Sequence, residues 1–381
     1  MPWLQTNPMD ERMRFIVAAQ DGLYSRAELC RRFGISRETG YKWLKRYEAA
    51  GPSGLEDKSH APLTCPHRID ADVAAALLEL RRRHPAWGPI TLVAYLAREK
   101  PGLTLPAPST VGDLLKRAGL VQPRRRRAKA VQSRTGVLRA ERPNQIWTAD
   151  YKGHFRTLDG KYCYPLTIQD AYARFLLACD ALLSTGSEEA RGSFTRVFRE
   201  YGLPEVIHTD NGVPFASPTP LGLTRLNVWW ISMEITPRRS RPGCPQDNAS
   251  HERMHRNLTP TRFPPGPDQA GQQLKLDDAR EEIDYVRPHH ALGMKTPAEV
   301  YVPSPRPMPE RIPKPTYPAH CEVRRVRRVG SIRFRGREIF LSEPLAHYDV
   351  ALEETADGIW SIYFYRVLLA RYDERTGKLH P

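Results

Sequence analysis

Asn144-Gln-Ile-Trp-Thr-Ala-Asp150 is the stretch on which the reading of this 381-residue chain turns. Upstream of it the pattern is helical; from it onward strands appear. Gln145 to Asp150 alternates, which places Ile146, Thr148 and Asp150 on one face and ends the strand on a carboxylate. Two further β-rich runs follow, Tyr162–Ile168 and Arg174–Cys179, separated by Asp170-Ala-Tyr-Ala. Ser187–Tyr201 has amphipathic helical spacing, and Pro204-Glu-Val-Ile-His-Thr leads to Asp210-Asn-Gly212. Val228–Thr236 is predicted as another strand, Pro237–Gln246 as a polar Arg/Pro/Gly loop and Asp247–Leu258 as a helix. The pattern amounts to a mixed sheet with helices.

Working back towards the N-terminus, Arg12–Gln20 carries a helical period. Ser25-Arg-Ala-Glu28 reads as a capping box opening a short helix over Arg26–Phe33. Gly34 breaks it, and Ser36 is placed to cap a third helix running to about Ala49. Helix, glycine turn and helix make a helix-turn-helix. In its last helix Gly40, Trp43, Leu44 and Tyr47 form the buried stripe, which leaves Arg37, Thr39, Lys42, Lys45 and Arg46 to face out as candidate DNA contacts. Residues 51–68 read as a linker. A second helix-turn-helix-like group is predicted from Ala71–His84, Thr91–Glu99 and Ser109–Ala118, with Ser109 as a cap. The run Arg124-Arg125-Arg126-Arg127 behind it suits a flexible strap tracking phosphates, or a solubilising tract.

Towards the C-terminus, residues 303–318 contain seven prolines and read as a stiff extended linker. Cys321–Leu341 and Val350–Tyr372 alternate apolar and polar around turns at Gly330-Ser331, Arg335-Gly336 and Asp357-Gly358, which predicts a small all-β barrel or sandwich. Its Arg324, Arg325, Arg327, Arg328, Arg333, Arg335 and Arg337 suggest a nucleic-acid surface, with a plain structural barrel as the alternative. The domains expected are therefore helix-turn-helix 1–50, linker 51–68, second helical domain 69–122 and basic linker 123–140. The catalytic core follows over 141–302, then the Pro-rich linker 303–318 and the β domain 319–381.

Charge follows the same division. The net charge of +15 is distributed as +12 over residues 1–140, −1 over 141–302 and +4 over 303–381. A neutral middle between basic ends suits a core with DNA-binding arms, because phosphate binding needs clustered cations. Six scattered cysteines without a C-x-x-C pair exclude a disulfide scaffold and argue against a cysteine-based zinc site. With no signal-peptide pattern and no run of about 18 apolar residues, the expectation is a cytoplasmic protein with no membrane partner.

The core offers three acids at element ends, Asp150, Asp210 and Glu252, with 59 and 41 residues between them. Carboxylates gathered this way suit Mg²⁺ or Mn²⁺, though a chain with 43 acids contains many such triples. His251 and His255 stand i, i+4 as a possible zinc pair, but no cysteine or acid spacing completes it. Arg238, Arg239, Arg241, Arg253 and Arg256 surround the third acid and could hold DNA phosphates. Trp147, Trp229 and Trp230 read as core residues rather than base-stacking platforms.

Three motifs resemble those of the DDE insertion-sequence transposases, which have a retroviral-integrase-like core: Ile146-Trp-Thr-Ala-Asp150, His208-Thr-Asp210-Asn-Gly212 and Arg241-Pro-Gly-Cys-Pro-Gln-Asp247-Asn-Ala-Ser-His-Glu252-Arg. The segment Tyr285-Val-Arg-Pro-His-His-Ala-Leu292-Gly, with Thr296-Pro-Ala-Glu-Val300, is also similar. The resemblance implies an α/β ribonuclease-H-like core between the all-α region and the all-β domain. It implies Asp150, Asp210 and Glu252 as catalytic metal ligands for two Mg²⁺ or Mn²⁺ ions. The implied reaction is hydrolysis of a phosphodiester at a transposon end, then attack of the freed 3′-hydroxyl on target DNA. The implied partners are double-stranded DNA, as terminal repeats and target, and further copies of the chain. The interval from Asp210 to Glu252 is longer than the family's usual spacing, so Asp247 competes for the third position. Two rival readings are a transposase-derived DNA-binding regulator without activity and a ribonuclease-H-like nuclease acting on RNA–DNA hybrids.

Overall fold

A computed structural model describes residues 7–58, 69–121, 139–241, 244–258 and 264–380. The Arg124–Arg127 strap and the second half of the 51–68 linker lie outside the described residues. The chain divides into two compact units, residues 1–68 and 69–381.

The first unit packs α1 (Pro8–Gln20), α2 (Arg26–Arg32) and α3 (Arg37–Ala50) with a 3-10 turn at Gly51–Leu55. Its core is Phe15, Ile16, Leu29, Cys30, Trp43 and Leu55. Ser36 caps α3 by accepting the Thr39 N–H at 3.1 Å, and Gly34 supplies the left-handed turn between α2 and α3, φ +65°. The capping box at Ser25 is half formed. Its hydroxyl accepts the Glu28 N–H, but the Glu28 carboxylate turns to Arg32.

The second unit begins with α4 (Ala71–Arg83), α5 (Pro89–Glu99) and α6 (Pro108–Arg117), closed over Val73, Leu77, Trp87, Leu92, Leu96, Val111 and Leu115. Ser109 is not a cap. Ala107 holds that position without a side-chain bond, and Pro108 starts the helix because its fixed φ suits the first turn. The group is fastened to the following domain: His84 Nδ1 lies 2.8 Å from Glu282, and Arg98 grips Glu299 with two 3.0 Å bonds.

The central sheet contains β1 (Ile146–Tyr151), β2 (Phe155–Arg156), β3 (Tyr162–Asp170), β4 (Leu176–Leu182), β5 (Val206–Thr209) and β6 (Thr236–Arg239). β4, β3 and β1 run antiparallel, whereas β1, β5 and β6 are parallel. One face is packed by α7 (Ser187–Tyr201) and α8 (Arg225–Ser232) through Phe194, Val197, Phe198, Trp229 and Trp230 against Trp147, Leu166, Ile168 and Ile207. The other receives α9 (Ala249–His255) and α10 (Gln269–Glu281) on Cys163, Leu176 and Cys179. This is a ribonuclease-H-like α/β core, and all three tryptophans are in it as expected.

Two readings are corrected here. Val228–Thr236 is not a strand: it divides between α8, capped by Thr224 and Asn227 in a capping box, and β6. Asp247–Leu258 is not one helix but α9 between two 3-10 turns, Pro245–Asn248 and Arg256–Leu258. The start of the Pro-rich segment is also held rather than free. The Ser304 N–H donates to Tyr201 O and the Leu203 N–H to Arg306 O, while the Arg306 guanidinium reaches Pro204 O and Met233 O.

The C-terminal region is all β: β7 (Glu322–Arg325), β8 (Ser331–Phe334), β9 (Arg337–Phe340), β10 (Asp349–Ala356), β11 (Ile359–Phe364), β12 (Val367–Asp373) and β13 (Lys378–His380). A five-stranded sheet, β13-β12-β11-β10-β7, faces the β8–β9 hairpin. The expected turns sit at Gly330, Gly336 and Gly358, all with positive φ. Four of the seven arginines suggested as a nucleic-acid surface share three carboxylates: Arg324 and Arg335 meet Glu322, Arg325 meets Asp349 and Arg327 meets Glu338. That pairing weakens the case for a nucleic-acid surface there.

Candidate active site

Parallel pairing brings the first two acids together. Thr148 pairs with His208 and Ala149 with Thr209, so the next step of the register puts Asp150 beside Asp210. Adjacent strands lie about 4.8 Å apart and paired residues share a face. Asp210 is fixed by its own turn, Oδ1 accepting the Gly212 N–H at 3.1 Å. A Cβ on Gly212 would sit 3.0 Å from the Asp210 carboxylate, so a larger residue there would press on that carboxylate. Asn211 donates to Ser240 O at 2.8 Å and ties this turn to the chain leaving β6.

The third acid arrives on α9, which two buried histidines seat on the sheet. His251 Nδ1 lies 2.6 Å from Thr148 Oγ1 and its Nε2 2.6 Å from Thr167 Oγ1. His255 Nε2 lies 2.7 Å from the same Thr167 hydroxyl, which donates to Asp150 O at 2.9 Å. One proton arrangement satisfies all four contacts. Thr148 donates to His251 Nδ1, both histidines donate from Nε2 to Thr167, and both rings are neutral. Burial agrees, since it drives His251 well below the usual imidazole range and His255 down to about 3. The pair is thus built into the fold.

The acids also share an electrostatic field. Burial, then the charges of Asp210 and Glu252, push the Asp150 carboxyl up to about 7. Asn248 Nδ2 stands 3.4 Å from Asp150 Oδ2, and the buried Asn248 Oδ1 has no hydrogen-bond partner among the described residues. Three carboxylates that repel one another, beside an unpaired amide oxygen, are a hard-oxygen donor set suited to Mg²⁺ or Mn²⁺. No group of three His, Cys, Asp or Glu among the described residues is already arranged to hold an ion; Glu252 itself is exposed. Asp247 is engaged elsewhere. Its carboxylate takes the Arg241 N–H and guanidinium at 2.8–3.0 Å, and Arg241 holds it down at about 2. That bond closes the loop leading to α9 and commits Arg241 to Asp247.

The remaining expected contacts are placed as follows. Arg253 and Arg256 are exposed near Glu252. On α3, Arg37, Lys42 and Lys45 are exposed, Lys42 and Arg46 lie over the Trp43 ring at 5.2 and 5.1 Å, and the Thr39 hydroxyl is 2.8 Å from Ser36 Oγ. Arg124, Arg125, Arg126 and Arg127 lie outside the described residues. Sequence reasoning passed over Thr148, Thr167 and Asn248. The alternation that put Thr148 and Asp150 on one face was the available signal, since two hydroxyls on a face also carrying an acid ask for polar partners.

Comparison with known proteins follows the same division. Residues 140–245 and 233–297 match the integrase core domain. Residues 11–62 match a helix-turn-helix domain and 39–115 a homeodomain-like domain. The Pol polyprotein of Feline endogenous virus ECE1 is 30% identical over 127 residues, 32% of this chain and 11% of that protein. The Gag-Pol polyprotein of Baboon endogenous virus (strain M7) is 30% identical over 127 residues, covering 32% of this chain and 7% of that one. The chain thus spans about a tenth or less of the length of these relatives. Among solved structures, the simian T-cell lymphotropic virus intasome in complex with PP2A regulatory subunit B56 gamma aligns at 18% identity and TM-score 0.39. That match covers 75% of this chain and 91% of the other. The HTLV-2 integrase catalytic core domain in complex with magnesium aligns at 17% identity and TM-score 0.31, over 42% of this chain and 97% of that domain. No helix among the described residues is long and apolar enough to cross a membrane.

Proposed function

We propose that this chain, with its integrase core domain and helix-turn-helix regions, is a DNA transposase that cleaves phosphodiesters at transposon ends and joins them to target DNA. The observation that carries the reading is the shared field at the sheet edge: Asp150 and Asp210 end neighbouring parallel strands, and Glu252 acts on the same carboxyl. Asp150, Asp210 and Glu252 would hold two Mg²⁺ or Mn²⁺ ions, with Asn248 offering a further oxygen. When bound, such cations supply positive charge to a phosphodiester under attack by a hydroxyl. The protein's part is to hold the carboxylates against their mutual repulsion. Gly212 shapes the Asp210 turn, and His251 and His255 seat the helix that carries Glu252.

Double-stranded DNA is the proposed partner, as terminal repeat and as target. Arg37, Lys42 and Lys45 are the foremost candidates on α3, with Thr39 and Arg46 supporting that surface and Arg124–Arg127 as a strap. Pairing two ends calls for more than one copy of the chain.

The test is cleavage and joining of labelled terminal-repeat DNA with Mg²⁺, Mn²⁺ or Ca²⁺. Asp150→Asn, Asp210→Asn and Glu252→Gln should each lower activity by orders of magnitude, because several kcal/mol of transition-state stabilisation depend on correctly held cations. DNA binding should persist in all three. Asp247→Asn should keep substantial strand transfer. Full activity in Glu252→Gln beside a dead Asp247→Asn would reverse the third assignment, and DNA binding without cleavage under every metal would favour a regulator.

A further inference from the structure

A second polar feature lies beside α9. A cleft of about 350 Å³ is lined by Arg174, Arg253, Arg256, Arg287, His289 and Ser250, and no lining residue is acidic. Its walls come from separate elements: the β3–β4 turn, α9, the segment after α10, and Ala86 in the α4–α5 connection. Arg174 stands at φ +63°, an uncommon conformation for a residue with a side chain. It is held there by Gln169, whose amide donates to Arg174 O at 2.9 Å, and its guanidinium bonds Ser250 on α9. Asp170 also feels Arg174, but its carboxylate is spent on the N–H groups of Asn144, Tyr172 and Ala173.

The electrostatics show concentrated positive charge. Burial and then Arg253 lower the affinity of Arg174 for its proton. Burial, then Arg174, Arg287, His290 and Arg253, bring His289 down to about 4, which leaves the ring neutral at pH 7. Its buried Nδ1 has no hydrogen-bond partner among the described residues. Four arginines of separate elements converging on one cleft, with no carboxylate among its described lining residues, suit a polyanion.

We propose that the cleft holds the sugar–phosphate backbone of a DNA duplex, with Arg174 and Arg287 inside it and Arg253 and Arg256 at its rim. The choice of DNA as the polymer rests on the transposase reading; the anion-binding character does not. This extends the contacts at α9 to Arg287, in the Tyr285–Leu292 segment, and to Arg174, which no sequence motif marked.

The test uses the full chain and a fluorescently labelled DNA duplex of about 20 base pairs and arbitrary sequence, without divalent cations. Anisotropy is read between about 50 and 200 mM salt. Arg174→Gln/Arg287→Gln should bind about ten-fold more weakly at the higher salt, and its log–log salt slope should fall by roughly two, one for each lost phosphate contact. Arg311→Gln/Lys314→Gln removes the same charge from another surface and should leave the slope nearly unchanged. If the interior variant does not fold, Arg253→Gln/Arg256→Gln at the exposed rim carries the same expectation. Inorganic phosphate should raise the melting temperature of the parent protein, at matched ionic strength, more than that of the cleft variants. A cleft variant with the control's slope, or a loss confined to an RNA duplex, would overturn the proposal. Absent cleavage with an intact slope difference would sink the transposase reading and leave the cleft standing.

Discussion

Thr167 decides more at the candidate site than its type suggests. One hydroxyl receives two histidine N–H groups and donates to Asp150 O. Thr167→Val keeps the shape and strands two buried donors and an acceptor, at about 1–3 kcal/mol for each group left unpaired. It should therefore destabilise the core by a few kcal/mol and speed hydrogen exchange in α9, in metal-free protein, while Thr148→Ala does less. Unchanged exchange across α9 would refute this seating role. A second residue tests the electrostatics away from the acids. Asp284 is buried, accepts the Leu176 N–H at 2.8 Å, and is pushed up to about 8 chiefly by burial. A folded value above the unfolded one means the contribution to stability is present at about pH 4 and is lost as pH rises through 8. Asp284→Asn should then come nearest the parent at about pH 4 and melt progressively higher than it towards pH 9, a divergence that thermal melts across that range will check.

Among elements, α3 gives the sharpest packing test. A Cβ on Gly40 would fall 2.5 Å from Cys30 Sγ and 3.0 Å from Phe15 Cζ, so α3 can approach α1 and α2 only because that position is glycine. Gly40→Ala should gain helix propensity of about 1 kcal/mol and lose more to the clash, typically 1–3 kcal/mol; a higher melting point for the 1–68 unit would contradict it. The same element shows why much of the fold was legible. Its apolar stripe, Ser36 cap and Gly34 turn are local signals, and local signals survive folding. The strand ending at Asp150 was legible for the same reason. Val228–Thr236 was not, because every residue from Leu226 to Ser232 is buried. A helix hidden on all sides has no period to read, although the Thr224–Asn227 capping box marked its start. At the site, the acids were legible as types and order, and the pairing of Asp150 with Asp210 needed only a parallel register. The arginine cleft was legible only in part: Arg253 and Arg256 stand beside the third acid in sequence, whereas Arg174 and Arg287 join them only in the folded chain.

For the whole molecule, the distribution of apolar surface is more telling than charge. The C-terminal strands do not close a core of their own. Leu221, Leu223, Val228 and Ile231 of the integrase-like domain are buried in one cluster with Val326, Ile332, Phe334, Leu352 and Ile362, and Arg366 meets Glu234 beside them. The seven-proline segment therefore leads to a region that shares its interior with α8, which also supports the sheet through Trp229 and Trp230. Removing residues 319–381 would uncover four apolar side chains on and before α8, each contributing about 1.5–3 kcal/mol when fully buried. The shortened chain should lose cooperative unfolding of the core, bind a hydrophobic dye and aggregate, even though all three acids remain. Ile231→Ala in the full chain isolates the contact. With Ile231 fully buried, a loss of about 2–5 kcal/mol is expected, and it should depress DNA joining only as far as it depresses the folded fraction. A chain lacking 319–381 that melts like the parent would show that the strands are an appendage and that the shared core adds nothing to stability.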